Sequence, residues 1–255
     1  MLAVISPAKS MDTTPATLEV PAPSDPLFAA RARKLAVRAR QLKTAGLADL
    51  MNLSDDLAAL NFQRFKTFGK QETKPAMLLF AGDVYRGLDA QSMSHEDMLL
   101  ANDRLRILSG LYGLLRPLDA IEPYRLEMGT ALANARGRNL YQFWGDAIAK
   151  HLNQWQASEA KPVLVNLASQ EYFKAVDRKV LRARVVQCVF EDLKGGKYKV
   201  ISFLAKRARG LMVRYAVTKQ VTTVRGLQGF DLEGYRFDAS VSDEQMLVFR
   251  RDAKP

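Results

Sequence analysis

Short apolar runs bounded by turn residues alternate along the chain with stretches of helical spacing. Leu2-Ala3-Val4-Ile5, closed by Ser6-Pro7, reads as a buried strand entering a loop. Pro15, Pro21, Pro23 and Pro26 make 10–26 an extended connection, because each proline removes a backbone donor and fixes φ. Ser24 or Asp25 ahead of Pro26 supplies a cap and first turn for a helix over 26–43, ended by Gly46. Two shorter helices follow over 47–52 and 55–66, broken at Leu53-Ser54, with Asp55 and Asp56 at the positive end of the second. Residues 77–80 start a strand or a helix, 95–108 is a helix capped by Ser94, and 116–139 is irregular. A helix over 140–156 keeps Phe143, Ile148 and Leu152 at core spacing. Strands follow at 163–167 and 185–190, and Lys194-Gly195-Gly196-Lys197 turns the second into a hairpin with 198–203. A helix over 204–216 and a strand at 246–249 complete the pattern. The expected fold is α+β: a single domain over 1–255 with a mixed sheet and flanking helices.

Composition narrows the class. The 255 residues are 48% apolar and 25% charged, as in a soluble globular chain, and no apolar run reaches the ~18 residues that a membrane span needs. The short apolar run at the N-terminus has no basic stretch ahead of it, so no secretory signal is expected. One cysteine, Cys188, suits a reducing cytoplasm, and two histidines, His95 and His151, are too few for the usual zinc site. The expectation is a cytoplasmic protein with no membrane partner, no metal and no cofactor.

Charge sharpens the reading. Lys and Arg number 38 against 27 acids, a net charge of +11. From Lys174 to Lys219 there are thirteen cations against Asp177, Glu191 and Asp192, so that stretch alone carries +10. A smaller cluster, Arg31, Arg33, Lys34, Arg38, Arg40 and Lys43, lies in a stretch without acids. Charge this localised points to an anionic partner.

Several segments, in order, carry a resemblance. They are Ile5-Ser6-Pro7-Ala8-Lys9, Gly82-Asp83-Val84-Tyr85, Leu108 to Asp119, Pro123 to Gly129, Tyr141 to Asp146, Asn166 to Ser169 with Glu171 to Lys174, and Ala205 to Met212. Together they resemble the YaaA family of bacterial peroxide-stress proteins, from residue 1 to about 250. The resemblance implies a fold particular to that family, with a basic cleft and a helix-hairpin-helix element. It also implies a DNA-binding protein of the oxidative stress response that is associated with lowered free intracellular iron. The expected partner is duplex or branched DNA, bound cooperatively by a monomer.

The residues offer their own candidates. A helix-hairpin-helix holds phosphate with backbone N–H groups at a tight turn. Residues 47–58 have the lengths for one, although Asp55 and Asp56 would repel phosphate, and Leu108 to Leu115 with Gly110 and Gly113 is the other candidate. The helix from Ala205 to Tyr215 carries Lys206, Arg207, Arg209 and Arg214 without an acid, over an apolar stripe of Leu204, Ala208, Leu211 and Met212. Its cations are expected to face outward. With Lys9, Lys174, Lys194, Lys197 and Lys199 they form the expected nucleic-acid contacts, while Tyr172, Phe173, Tyr198 and Tyr215 between them are expected to face the core.

The competing reading is an enzyme acting on a phosphate-bearing or nucleic-acid substrate in the same cleft. Ser6, Asp83, Tyr85, Tyr112, Arg125, Asn166 and Ser169 fall at strand ends or in Gly/Pro-marked loops, where active sites are built. Lys9, Glu127 and Glu171 are the catalytic candidates, Lys9 as phosphate ligand or nucleophile and Glu127 as base. No Gly-rich phosphate loop, nucleophile elbow or dinucleotide fingerprint is present. Direct iron chelation is a third reading; it would need several converging acids in an acid-poor chain. Cys188, in an apolar β run, reads as an inert core thiol.

Overall fold

The strand expected at 2–5 lies at the centre of the sheet. A computed structural model describes residues 1–15 and 19–252; 16–18, within the expected 10–26 connection, and 253–255 lie outside the described residues. Strands β1 (Leu2–Ile5), β2 (Leu105–Ser109), β3 (Gly113–Leu115), β4 (Val163–Leu167), β5 (Arg184–Lys194), β6 (Lys197–Lys199), β7 (Arg236–Phe237) and β8 (Met246–Arg251) form one mixed sheet. Its order is β7-β8-β5-β4-β1-β2-β3, with β6 a hairpin partner of β5. The five central strands are parallel and antiparallel pairs close both edges. Strands buried on both faces read as near-continuous apolar runs, which is why β1, β2 and β4 lack period-two alternation, interrupted only by the buried Arg106, Ser109 and Asn166.

Register assigns the faces. Asn166 pairs with Gln187 and with Val4, which pairs with Arg106, so these four share one face. Ile5, Leu167 and Ile107 form the next row and face the other way. The Arg106 guanidinium lies 3.7 Å from the ring of Trp155, which ends helix α7 (Ala147–Trp155). The opposite face is covered by helix α9 (Ser202–Thr218), whose Met212 and Val213 line a small apolar pocket with Ala3, Leu105 and Leu167. The other helices that concern the site are α1 (Ala29–Gln41), α2 (Lys43–Met51), α3 (Asp55–Lys66), α4 (Asp83–Leu88), α5 (His95–Arg104), α6 (Leu140–Trp144) and α8 (Gln170–Phe173). Buried apolar residues form one continuous cluster from Leu2 to Phe249.

Several local expectations change. The helix expected over 95–108 stops at Arg104, because Leu105–Ser109 is the strand beside β1; a short apolar run does not declare its period. The helix over 140–156 is two helices, α6 and α7, parted at Gly145 (φ 51). Gly46 lies inside α2 and stops nothing. Ser24 does not cap α1; its hydroxyl donates to Asp119 Oδ1 at 2.7 Å. Leu108 to Leu115 is the β2–β3 hairpin, so that helix-hairpin-helix candidate is replaced by paired strands. The other candidate is a helical pair, α2 and α3, turned by Asn52 in the left-handed region. Among the described residues no helix is long and apolar enough to cross a membrane.

Candidate functional site

The chain leaves β1 to form β2 on one side and returns to form β4 on the other. Ligands in open parallel sheets bind outside the carboxyl ends of the strands at such a reversal. Here that point is stitched shut by side chains. The Ser169 backbone N–H donates to Ser6 Oγ at 2.9 Å, and the Ser6 hydroxyl donates to Ser169 Oγ at 3.3 Å. The Tyr85 hydroxyl, from α4, donates to the Ser6 carbonyl at 3.2 Å. Burial, with Tyr124 and Tyr172 nearby, pushes the Tyr85 hydroxyl well above its ordinary range, so it stays a neutral donor. A pocket of about 260 Å³ opens beside Tyr85, lined by Ser10, Asp12, Gly82, Arg86 and Gln91.

Charges at this end of the sheet are matched. Glu127 is shared: Lys9 Nζ lies 2.9 Å from Oε2 and an Arg125 Nη lies 3.2 Å from Oε1. Glu171 Oε1 accepts the Gly129 N–H at 2.9 Å, while the Tyr141 hydroxyl donates to the Glu171 carbonyl at 3.0 Å. Lys174 Nζ stands 5.1 Å over the Tyr141 ring. Asp83 pairs with Arg86 at 3.2 Å. Ser6, Lys9, Asp83, Tyr85, Arg125, Glu127, Ser169, Glu171 and Lys174 are thus brought to one end of the sheet. Two expected members are not. Asn166 lies within β4, donating to Gln187 at 2.6 Å and accepting from the Ala168 N–H. Tyr112 is buried in an aromatic chain running through Tyr124 and Phe80 to Tyr85. Sequence reasoning missed Tyr124, Tyr141 and Tyr172 as site residues, although each stands inside or beside a motif that it singled out.

The second region is the arm made by β5, β6 and the start of α9. Beyond its pairing with β4, β5 continues from Gln187 to Lys194, about 23 Å of strand at ~3.3 Å per residue. β8 accompanies it as far as Asp192, which holds Arg251 at 2.6 Å and accepts from Tyr235 at 2.9 Å. Gly195 and Gly196 both have positive φ, so the two-residue turn matches the strand twist. Period-two alternation sets Leu193 opposite Tyr198 on one face and Lys194 opposite Lys197 on the other. Like charges placed opposite each other are unfavourable, so this hairpin end is not optimised for stability alone. Tyr198 does not enter the core as expected; it is partly exposed, beneath the Arg250 guanidinium at 4.5 Å.

The four cations of α9 divide. Lys206 faces solvent. Arg207 pairs with Glu233 at 2.6 Å, and Arg214 donates to the Leu88 and Asp89 carbonyls. Arg209 turns inward near Cys188, where burial lowers its pKa and leaves Nε without a partner. The reason is packing, not charge: α9 crosses α4 where Gly210 meets the Val84 carbonyl and Gly87 meets the Arg207 carbonyl. That close approach fixes which face looks outward. Lys174, Lys194, Lys197, Lys199 and Lys206 are exposed, and none of the five forms an ion pair among the described residues. In the second basic cluster, on α1, Arg38 donates to the Ala133 carbonyl at 2.8 Å.

Among the described residues no three His, Cys, Asp or Glu side chains converge as a metal site would require. Cys188 is buried, and burial raises its thiol to about 12.

A parallel-centred mixed sheet with a polar reversal point and a lysine-bearing arm describes a class of basic α+β protein. The family described as "Peroxide stress protein YaaA" matches residues 1–241, and the chain belongs to that family. Relatives named only as UPF0246 proteins are similar along their whole length. One from Polaromonas naphthalenivorans (strain CJ2) is 55% identical over 256 residues, covering 98% of both chains. Another from Methylibium petroleiphilum is 56% identical over 259 residues, 98% of this chain and 99% of the relative. A third, from Aromatoleum aromaticum, is 54% identical over 263 residues, 99% and 100%.

Proposed function

We propose that this protein acts in the peroxide stress response by holding the sugar–phosphate backbone of duplex or branched DNA, with little sequence preference. The observation that carries the reading is the set of lysines on the arm without an ion-pair partner among the described residues, Lys194, Lys197, Lys199 and Lys206, with Lys174 at the reversal point. Uncompensated ammonium groups at an unfavourable hairpin pairing suit phosphate, which supplies the missing counter-charge. The DNA is held at the arm and not at the α2–α3 turn, where Asp55 and Asp56 repel phosphate. In this reading lowered free iron follows from nucleic-acid binding and not from chelation, since Glu127 and Glu171 are already held by Lys9, Arg125 and Gly129. The test is anisotropy of several unrelated labelled duplexes with Lys197→Ala, Lys199→Ala and Lys206→Ala combined. Affinity should fall for all sequences alike; affinity equal to the parent's would remove the arm from the interface.

One observation favours a second reading, chemistry on a nucleic-acid or phosphate-bearing substrate: Lys9 and Glu127 pair at the sheet's reversal point, where enzymes of open parallel sheets work. Lys9→Arg separates the two. Arginine binds phosphate at least as well, so a backbone contact tolerates the change, whereas a nucleophile or proton carrier does not. Peroxide survival abolished with duplex affinity intact would favour chemistry; survival retained would end the assignment to Lys9.

A further inference from the structure

The DNA reading accounts for the lysines of the arm and leaves the apolar side chains between them unused. Twelve large apolar side chains are exposed among the described residues, and four of them, Leu193, Tyr198, Val200 and Phe203, fall within 193–203. Leu193 and Tyr198 stand opposite each other across the hairpin. Val200 and Phe203 are the two most exposed of the twelve, at 52% and 61%. A single apolar residue at a surface is ordinary; the two most exposed ones standing three apart in the chain are not.

Their surroundings say what they meet. Phe203 is in the first turn of α9, and Lys206, one turn on, shares its face. Val200 directly follows Lys199, and Lys197 and Lys199 project to the same face of β6. An apolar centre is thus flanked by ammonium groups on both sides. A base step of a duplex has the matching layout, an apolar stack between two anionic strands. Phe203 lies in the first turn of α9, one turn ahead of the Arg207–Leu211 stretch that Gly87 and Gly210 pack against α4, so it projects from the start of an anchored helix.

We propose that Phe203, backed by Val200, is a wedge that enters a base step of the bound duplex, partly unstacking and kinking it while the neighbouring lysines hold the phosphates. The proposal rests on the DNA reading and deepens it by adding an interaction that neutralises no phosphate. Stacking of a base on an aromatic side chain is worth about tenfold in affinity. Because no counterion is released by it, this share of the affinity leaves the salt slope untouched.

The experiment uses the full chain with a duplex carrying 2-aminopurine, whose emission rises on unstacking, and reads anisotropy and emission over a range of salt. Phe203→Ala should lower affinity about tenfold at every salt concentration, with the slope of the parent, and should abolish the rise in emission. Phe203→Trp should keep both. Phe203 is largely solvent-exposed, so the variants should melt with the parent. Equal affinity and emission for Phe203→Ala would overturn the wedge while leaving backbone binding in place. Failure of the parent to bind any duplex would overturn both readings. Loss of binding by Phe203→Ala to anionic phosphatidylserine vesicles, with DNA binding unaltered, would reassign the patch to a membrane surface and overturn the wedge as well.

Discussion

The reversal point and the arm belong to one sheet, yet, Lys174 apart, they handle charge in opposite ways. At the reversal point Glu127 serves both Lys9 and Arg125, Glu171 holds the Gly129 N–H, and Asp83 meets Arg86. On the arm two lysines face each other across a hairpin and two more follow; among the described residues none of the four forms an ion pair, and Asp192, which stands opposite Lys199, is already held by Arg251. Matched groups are placed by the fold for the fold's own geometry, and any chemistry there uses groups already positioned. Unmatched groups gain their partner only from outside. The contrast teaches that net charge is a poor guide to an interface, and that the cations left over after internal pairing are a better one.

The two regions share a mechanical support, and removing it has the largest effect. Gly210→Val pushes a side chain into the Val84 carbonyl and should destabilise the protein by about 3 kcal/mol, read as a fall in Tm. A Tm equal to the parent's would mean that α9 does not depend on this close approach.

A smaller effect has opposite signs in the two regions. Glu127→Gln strips Lys9 and Arg125 of their shared partner and should cost about 1 kcal/mol. Lys197→Ala relieves the Lys194–Lys197 opposition and should stabilise by about 0.3 kcal/mol. Urea melts check both, and equal signs would erase the distinction between matched and unmatched charge.

How much of this was legible depended on range. The Gly-Gly turn and its flanking lysines announced the β5–β6 hairpin, because turn chemistry is local. The end of β6 was not legible: Val200 and Phe203 suit a strand, but the chain enters α9 at Ser202. The loops holding Ser6, Lys9, Ser169 and Glu171 were recognisable as strand ends, but their convergence was not, since strand order is a property of the whole sheet. Arg207, Arg209 and Arg214 looked like an outward basic face. Two glycines far apart in the chain, Gly87 and Gly210, decided otherwise, through close helix packing that no local pattern reveals.

Two smaller predictions concern buried groups that take no part in this contrast of charge. Cys188, buried with its thiol at about 12, should resist iodoacetamide and peroxide in the native state and react only on unfolding, as mass spectrometry would read. Rapid native labelling would contradict the packing of α9 over β5. His151 stands between Phe28 and Trp155, and burial, with Arg106 and Arg116 nearby, lowers its pKa. The unfolded chain therefore takes up the proton first, so stability from this residue is complete above about pH 6.5 and declines as pH falls below it. Tm measured from pH 8 to 5 should decline less in His151→Gln than in the parent; parallel declines would exclude His151 as the cause.

The most direct test of the central claim is the salt dependence of duplex binding. If the unmatched lysines hold the phosphates, log K falls linearly with log salt. Lys194→Ala, Lys197→Ala and Lys199→Ala together should then reduce the slope by about 2.7, about 0.9 for each phosphate no longer neutralised. Lys9→Ala should change that slope by much less, because Lys9 already has its counter-charge in Glu127. A triple variant with the parent's slope, or a Lys9→Ala slope reduced as far as the triple variant's, would contradict the account.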